Sequence, residues 1–150
     1  MIRVEREQAF GVTVDEGFAF ITDTANWPTY WPGLVRVQPT SRWSEPGDEA
    51  RVVTRLLGRE VELHMTLRRF EPNRLVEYDS RQRGLPNARH ERHFNAAEGG
   101  GFRYRLVVDY EPRSALRGLY DRVLVRRGVD RVLRQTLENL EAVFGARGAG

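Results

Sequence analysis

A chain of 150 residues with 40% hydrophobic and 30% charged positions has the make-up of one folded domain, not of a disordered or fibrous segment. The net charge is only +3 although all 24 basic positions are arginine, and acids alternate with them through most of the chain, so no nucleic-acid partner is expected. Cysteine is absent, which excludes disulfides and thiolate chemistry, and no apolar run approaches the roughly 20 residues of a membrane span.

The opening MIRVEREQAF lacks the apolar core of a signal peptide, so the expected location is the cytoplasm. Residues 2–12 alternate as a strand does. Asp15 then opens DEGFAFITD, a short helix with an Asx cap that ends before Asn26. NWPTYWPG, residues 26–33, follows as a second short helical turn or loop, because Pro28 and Pro32 lack N–H groups and favour extended geometry before them. From Leu34 to Pro112 the signals are strands and tight turns. LVRVQPTSRW leads to EPGD, EARVVTRLL to Gly58–Arg59, EVELHMTLRRF to EPNR, RLVEYDSRQ to RGLPN, ARHERHFNA to EGGG, and FRYRLVVDY ends the series. Connections this short describe an antiparallel meander. From Ser114 to about Phe144 the period becomes helical, with Leu119, Val123, Leu133, Leu137, Leu140 and Phe144 along the apolar stripe, and ARGAG reads as a frayed tail from about 145. The stripe shifts at Arg126–Arg127–Gly128: either Gly128 permits a bend that brings Arg126 or Arg127 to a cavity mouth, with Asp130 as a partner for either, or these residues form a solvated basic patch with an internal ion pair.

Alternation sorts the faces. Val61, Leu63, Met65 and Leu67 share one side of their strand, and Phe102, Tyr104, Leu106, Val108 and Tyr110 form the inner row of the last. One sheet with one long helix must bury a face against that helix, and a curled sheet is hard to fill near its open end.

The order β-α-α-β6-α, together with NWPTYWPGLVRV, EVELHMTLRRFEPNRLVEY and VDRVLRQTLENLEAVF, resembles the START-like (SRPBCC, Bet v 1-like) superfamily of polyketide cyclases, dehydrases and lipid-transport proteins. The resemblance covers residues 3 to 145 and implies an α+β helix-grip fold in a single domain: a seven-stranded antiparallel sheet curled round the C-terminal helix. It also implies an apolar cavity between the two for lipids, sterols, polyketides, quinones or hormones, with cyclisation or aromatisation in a minority of members.

Trp27, Tyr30 and Trp31 are expected where the short helices close one end of the sheet, as a core plug, as pocket wall, or as both. The expected lining comprises Met65, Tyr78, Phe94, Tyr104, Leu119 and Val123, with Arg127 at the mouth. His90 and Arg92 share the inward face of Phe94 unless the strand is offset by one residue. Either they bind a ligand's polar oxygen or they sit at the mouth paired with an acid. An imidazolium at His90 would make such binding depend on pH around 6 to 7. His90, Arg92, Tyr78 and Tyr104 are the candidates for acid–base or carbonyl-polarising catalysis. No metal or other cofactor is expected: His90 and His93 lie three apart on a strand, on opposite faces.

Three functions fit. The first is a carrier or sensor for a small hydrophobic ligand, aromatic or lipid-like. The second is a polyketide cyclase or aromatase-like enzyme using the same cavity, and the third an interaction module whose helix or sheet rim binds a macromolecule. The sequence leaves oligomeric state unassigned and gives no sign of stable membrane insertion.

Overall fold

The computed structural model describes residues 1–38, 42–56, 58–112 and 118–148; the side chains of residues 118–121 and 148 lie outside that description. In chain order the elements are β1 (Ile2–Phe10), α1 (Val14–Thr22), a 3-10 turn (Thr24–Asn26), α2 (Trp27–Tyr30), β2 (Leu34–Val37), β3 (Glu49–Leu56), β4 (Arg59–Glu71), β5 (Leu75–Arg81), β6 (Ala88–Ala96), β7 (Phe102–Tyr110) and α3 (Gly118–Gly148). All seven strands join one antiparallel sheet in the order β1-β7-β6-β5-β4-β3-β2. The helix-grip architecture expected from the sequence is the one observed.

Several boundaries differ from expectation for identifiable reasons. The cap of α1 is Thr13, not Asp15: its hydroxyl accepts from the Glu16 N–H at 3.2 Å, satisfying a donor that the helix start leaves open. β1 stops at Phe10 rather than residue 12, and β2 at Val37, well short of Trp43. At the other end α3 runs on to Gly148 instead of fraying from about 145. Its last turn is held from outside, because the Arg147 guanidinium donates to Glu16 at 3.3 Å and lies 4.8 Å over the Phe20 ring. The expected start of that helix at 114 lies outside the described residues. In β4 the register shifts between Leu67 and Arg69, so Arg68 and Arg69 are both exposed before the inward row resumes near Phe70. Such a bulge bends its strand and strengthens the curl of the sheet.

The core divides into two aromatic populations. All seven phenylalanines form one network of ring contacts at the end closed by α1. Phe94 and Phe102 on the sheet meet Phe18 of α1 and Phe144 of α3, with Phe18–Phe94 centroids 4.9 Å apart and Phe102–Phe144 6.0 Å apart. Phe102 is fully buried and Phe144 is 2% exposed. The stripe Leu133, Leu137, Leu140 and Phe144 seats α3 on the concave face. Outside that stripe, Arg6 of β1 grips Asp130 through two hydrogen bonds of 2.7 and 3.0 Å. Asp130 is therefore the partner of Arg6, not of Arg126 or Arg127: an edge strand reaches it in a two-pronged geometry that neighbours on its own helix do not match.

Gly17 makes the closed end possible. It is buried in α1, and a Cβ at this position would overlap the Phe102 ring. We predict that Gly17→Ala destabilises the fold by about 1–3 kcal/mol through overpacking, despite a helix-propensity gain of about 1 kcal/mol. Thermal unfolding followed by circular dichroism tests this, and a Gly17→Ala protein as stable as wild type would show that α1 is free to slide.

Candidate functional site

Away from the phenylalanines the concave face is not filled. A pocket of about 400 Å³ lies between the sheet and α3. Its wall includes Leu56 and Gly58 at the β3–β4 turn, Leu85 and Pro86 in the β5–β6 loop, and Val125, Gly128, Val129 and Val132 of α3. β-strand register places those two connections at the same end of the sheet, opposite α1, because Val61 faces Thr54 while Ser80 faces Ala88.

Indoles and phenols build the wall where phenylalanines built the plug. Trp31, Trp27, Trp43, Tyr78 and His90 form a continuous ladder. Successive centroids are 5.5, 5.7, 5.8 and 4.5 Å apart, and the last pair is stacked with 7° between planes. All three tryptophans therefore belong to the pocket. Trp27 and Tyr30 are also structural. The Trp27 indole N–H and the Tyr30 hydroxyl both donate to the Ile21 carbonyl, at 3.2 and 2.7 Å, closing an acceptor that the end of α1 would otherwise leave open. NWPTYWPG thus serves at once as plug and as wall.

A polar strip crosses this apolar surface on β5 and β6. Tyr78 pairs with His90, Val76 with Arg92 and Ser80 with Ala88, and Phe94 opposite Tyr104 fixes the direction: the face of His90 and Arg92 is the inward one. Arg92 Nη2 donates to the Tyr78 hydroxyl at 3.0 Å, and its guanidinium carbon lies 5.7 Å from the centre of that ring. Ser80 Oγ and His90 Nε2 are 2.9 Å apart. Arg92 Nη1 and His90 Nδ1 are buried with no hydrogen-bond partner among the described residues. Neighbouring acids point to the outer face and are engaged there: Asp79 binds Arg68 at 2.6 Å and Arg89 at 3.0 Å, and Glu77 lies 3.6 Å from Arg89. Arg92 is thus a permanent cation in the pocket with no ion pair among the described residues.

Protonation follows from this arrangement. Burial, reinforced by the charge of Arg92 and only partly offset by Asp79, pushes the His90 imidazole down to about 3. The neutral ring is therefore the form present at pH 6 to 7, and the expected imidazolium donor is replaced by a neutral donor or acceptor. Burial raises the Tyr104 and Tyr30 phenols well above their ordinary range, against the pull of Arg92, so both keep their protons. These groups can donate hydrogen bonds and polarise a carbonyl, but none is a ready base.

Among the expected site residues, Trp27, Tyr30, Trp31, Met65, Tyr78, His90, Arg92, Phe94 and Tyr104 all lie on the pocket wall. Val123 does not: it is 45% exposed, and the wall is formed instead by Val125, Val129 and Val132. Arg127 is likewise exposed and outside the wall, because α3 passes through Gly128 as one helix in a phase that turns position 127 outward. The side chain of Leu119 lies outside the described residues. Sequence reasoning misses Ser80, Thr54 and Trp43. Ser80 is legible, two positions from Tyr78 on one strand; Trp43 is not, since no periodic segment carries it. Among the described residues no group of three or more His, Asp or Glu side chains could hold a metal ion.

A family model described as polyketide cyclase / dehydrase and lipid transport matches residues 1–145, and the chain belongs to that family. No curated protein sequence matches the chain. Among solved structures, a protein of Thermus thermophilus aligns with TM-score 0.80 at 17% identity, covering 97% of this chain and 99% of its own. A START superfamily protein from Mycobacterium smegmatis aligns with TM-score 0.79 at 10% identity, covering 96% and 97%. An aromatase/cyclase named Zhui, from Streptomyces sp. R1128, aligns with TM-score 0.73 at 14% identity and covers 97% of both chains. At these identities the likeness is one of fold.

The neutral imidazole of His90 has a consequence for stability. With a folded pKa below the ordinary 6.5, His90 takes up its proton more readily in the unfolded chain, so stability is full at neutral pH and falls as pH drops below about 6.5. We predict a loss on the order of 1–2 kcal/mol between pH 7 and pH 5. His64 and His93 remain in His90→Phe, so comparing denaturant unfolding of the two proteins isolates this residue. Identical pH slopes would mean that folded His90 protonates freely.

Proposed function

We propose that this member of the polyketide cyclase / dehydrase and lipid transport family binds one small, largely apolar ligand, aromatic or lipid-like, that presents a carboxylate, phenolate or carbonyl oxygen to Arg92. The observation that carries this reading is the guanidinium itself. A cation facing an apolar pocket, held by one tyrosine hydroxyl and otherwise unpartnered on Nη1, is expensive unless something supplies the missing acceptor. A ligand oxygen does so, and the indole ladder offers flat surface to the remainder of such a molecule. The role is that of a carrier or sensor.

A second reading, an enzyme of the cyclase or aromatase kind, is favoured by one contact. Ser80 and His90 are hydrogen-bonded 2.9 Å apart on the same strip as Arg92. In that role Arg92 would stabilise an enolate while the neutral dyad relays a proton. The aromatase/cyclase among the structural neighbours shares this fold at 14% identity. Under this reading His90→Phe would abolish turnover of a poly-β-ketone while leaving its binding in place.

The experiment for the first reading is a matched pair of ligands, naphthalene-2-carboxylate and 2-methylnaphthalene, titrated against wild type and Arg92→Leu. A charge-assisted hydrogen bond in a partly dry site contributes about 1.5–3 kcal/mol, so wild type should favour the carboxylate by about ten- to a hundredfold. Arg92→Leu should lose that preference and bind the hydrocarbon equally well or better. Equal losses for both ligands would make Arg92 a structural residue.

A further inference from the structure

Charge is distributed unevenly over the molecule. On the strands arginines and acids alternate and pair, as in Glu7–Arg103 at 3.1 Å and Glu5–Arg105 at 3.5 Å. At the pocket mouth they do not. The β3–β4 turn brings Arg59, the β5–β6 connection brings Arg83, and the first described turns of α3 bring Arg122, Arg126, Arg127 and Arg131, all exposed. None of these six has an ion pair among the described residues, and Arg131 also lines the pocket. Among the described side chains, the acids nearby are occupied or turned away. Glu60 lies 3.8 Å from Arg55, Asp130 is gripped by Arg6, and Glu111 lies 3.5 Å from the amino terminus. Glu62 alternates to the outer face of β4. Three segments far apart in sequence thus converge into a cationic rim that no single stretch reveals.

Two apolar side chains stand on the same turns of α3 as its arginines. Val123 is 45% exposed and Leu124 41%, among only four large hydrophobic side chains so exposed in the described chain. With Arg127 and Arg131 they occupy the solvent side of α3, away from the stripe that seats on the sheet. Cationic side chains framing exposed aliphatic ones make a surface suited to the boundary between anionic head groups and acyl chains. Nucleic acid would be served by the arginines but offers no partner for Val123 and Leu124. No helix among the described residues is long and apolar enough to cross a membrane, so the contact would be peripheral.

We infer that the mouth of the pocket docks on an anionic phospholipid surface, with Leu124 and Val123 in the head-group region and the arginine rim on the lipid phosphates. The pocket would then open towards the bilayer, the reservoir from which an apolar molecule partitions. This inference does not depend on which ligand the pocket holds or on Arg92.

The test is sedimentation with vesicles of phosphatidylcholine alone or mixed with phosphatidylglycerol. Wild type should bind the mixed vesicles only, and more weakly as salt rises. Each arginine near such a surface contributes about 1 kcal/mol, so Arg122→Gln/Arg126→Gln should bind about thirtyfold more weakly. Leu124→Ser should weaken binding severalfold without altering its salt dependence. As a control for net charge, Arg69→Gln/Arg74→Gln at the closed end should bind like wild type. The pocket titration with naphthalene-2-carboxylate should be unchanged in the rim variants, which separates failure of docking from failure of ligand binding. Absence of vesicle binding, equal binding to both vesicle types, an equal loss in the closed-end control, or retention of random duplex DNA in place of vesicles would each overturn the inference.

Discussion

One helix cannot fill the concave face of a seven-stranded sheet, and the structure follows from how that deficit is divided. Interiors are packed as densely as organic crystals, so unfilled volume has to be concentrated somewhere and tolerated there. Here the bulk is placed at one end. Seven phenylalanines from β1, α1, β4, β6, β7 and α3 interlock beneath α1, and Gly17 removes the one Cβ that would keep that helix from the Phe102 ring. Rings with no polar atom suit a space that water never enters. The remaining volume collects at the opposite end as a pocket.

Residue chemistry changes where the filling stops. Tryptophan, tyrosine and histidine replace phenylalanine, and their polar atoms find partners at the boundary: Trp27 and Tyr30 on the Ile21 carbonyl, Tyr78 on Arg92, His90 on Ser80. The same stretch that closes the grip therefore shapes the hollow. Arg92 stands apart in this wall. Its Nη1 has no partner among the described residues, while the neighbouring acids are committed to arginines on the outer face. That contrast, between a sheet whose outer charges cancel and an inner charge left open, is the electrostatic basis of the proposed recognition.

Much of this is legible in the sequence because strands report their faces with a period of two. The inward rows through Met65, Tyr78, Phe94 and Tyr104 follow from alternation, and the short turns impose antiparallel neighbours. Expectation fails where a local pattern does not determine the outcome. A helix stripe fixes its phase only through its contacts, so spacing alone puts Val123 inside although α3 seats on Leu133, Leu137 and Leu140 and turns Val123 out. Proximity along the helix pairs Asp130 with its neighbours, whereas the partner that wins, Arg6, is 124 residues away in sequence. The Thr13 cap lies just ahead of the segment whose pattern reads as helical. The arginine rim is hidden for a related reason: it is assembled from two connections and the first turns of α3, none of which shows it alone.

The central claim is that Arg92, and no surface arginine, receives the oxygen of a ligand seated against the indole ladder. Nitrogen-15 NMR of the arginine side chains during titration with naphthalene-2-carboxylate tests it at the atoms concerned. The account predicts that the Arg92 guanidinium resonances, assigned by their absence from Arg92→Leu, shift and saturate at one equivalent while the exposed rim arginines stay in place. Saturable shifts confined to the rim, with Arg92 unmoved, would contradict it.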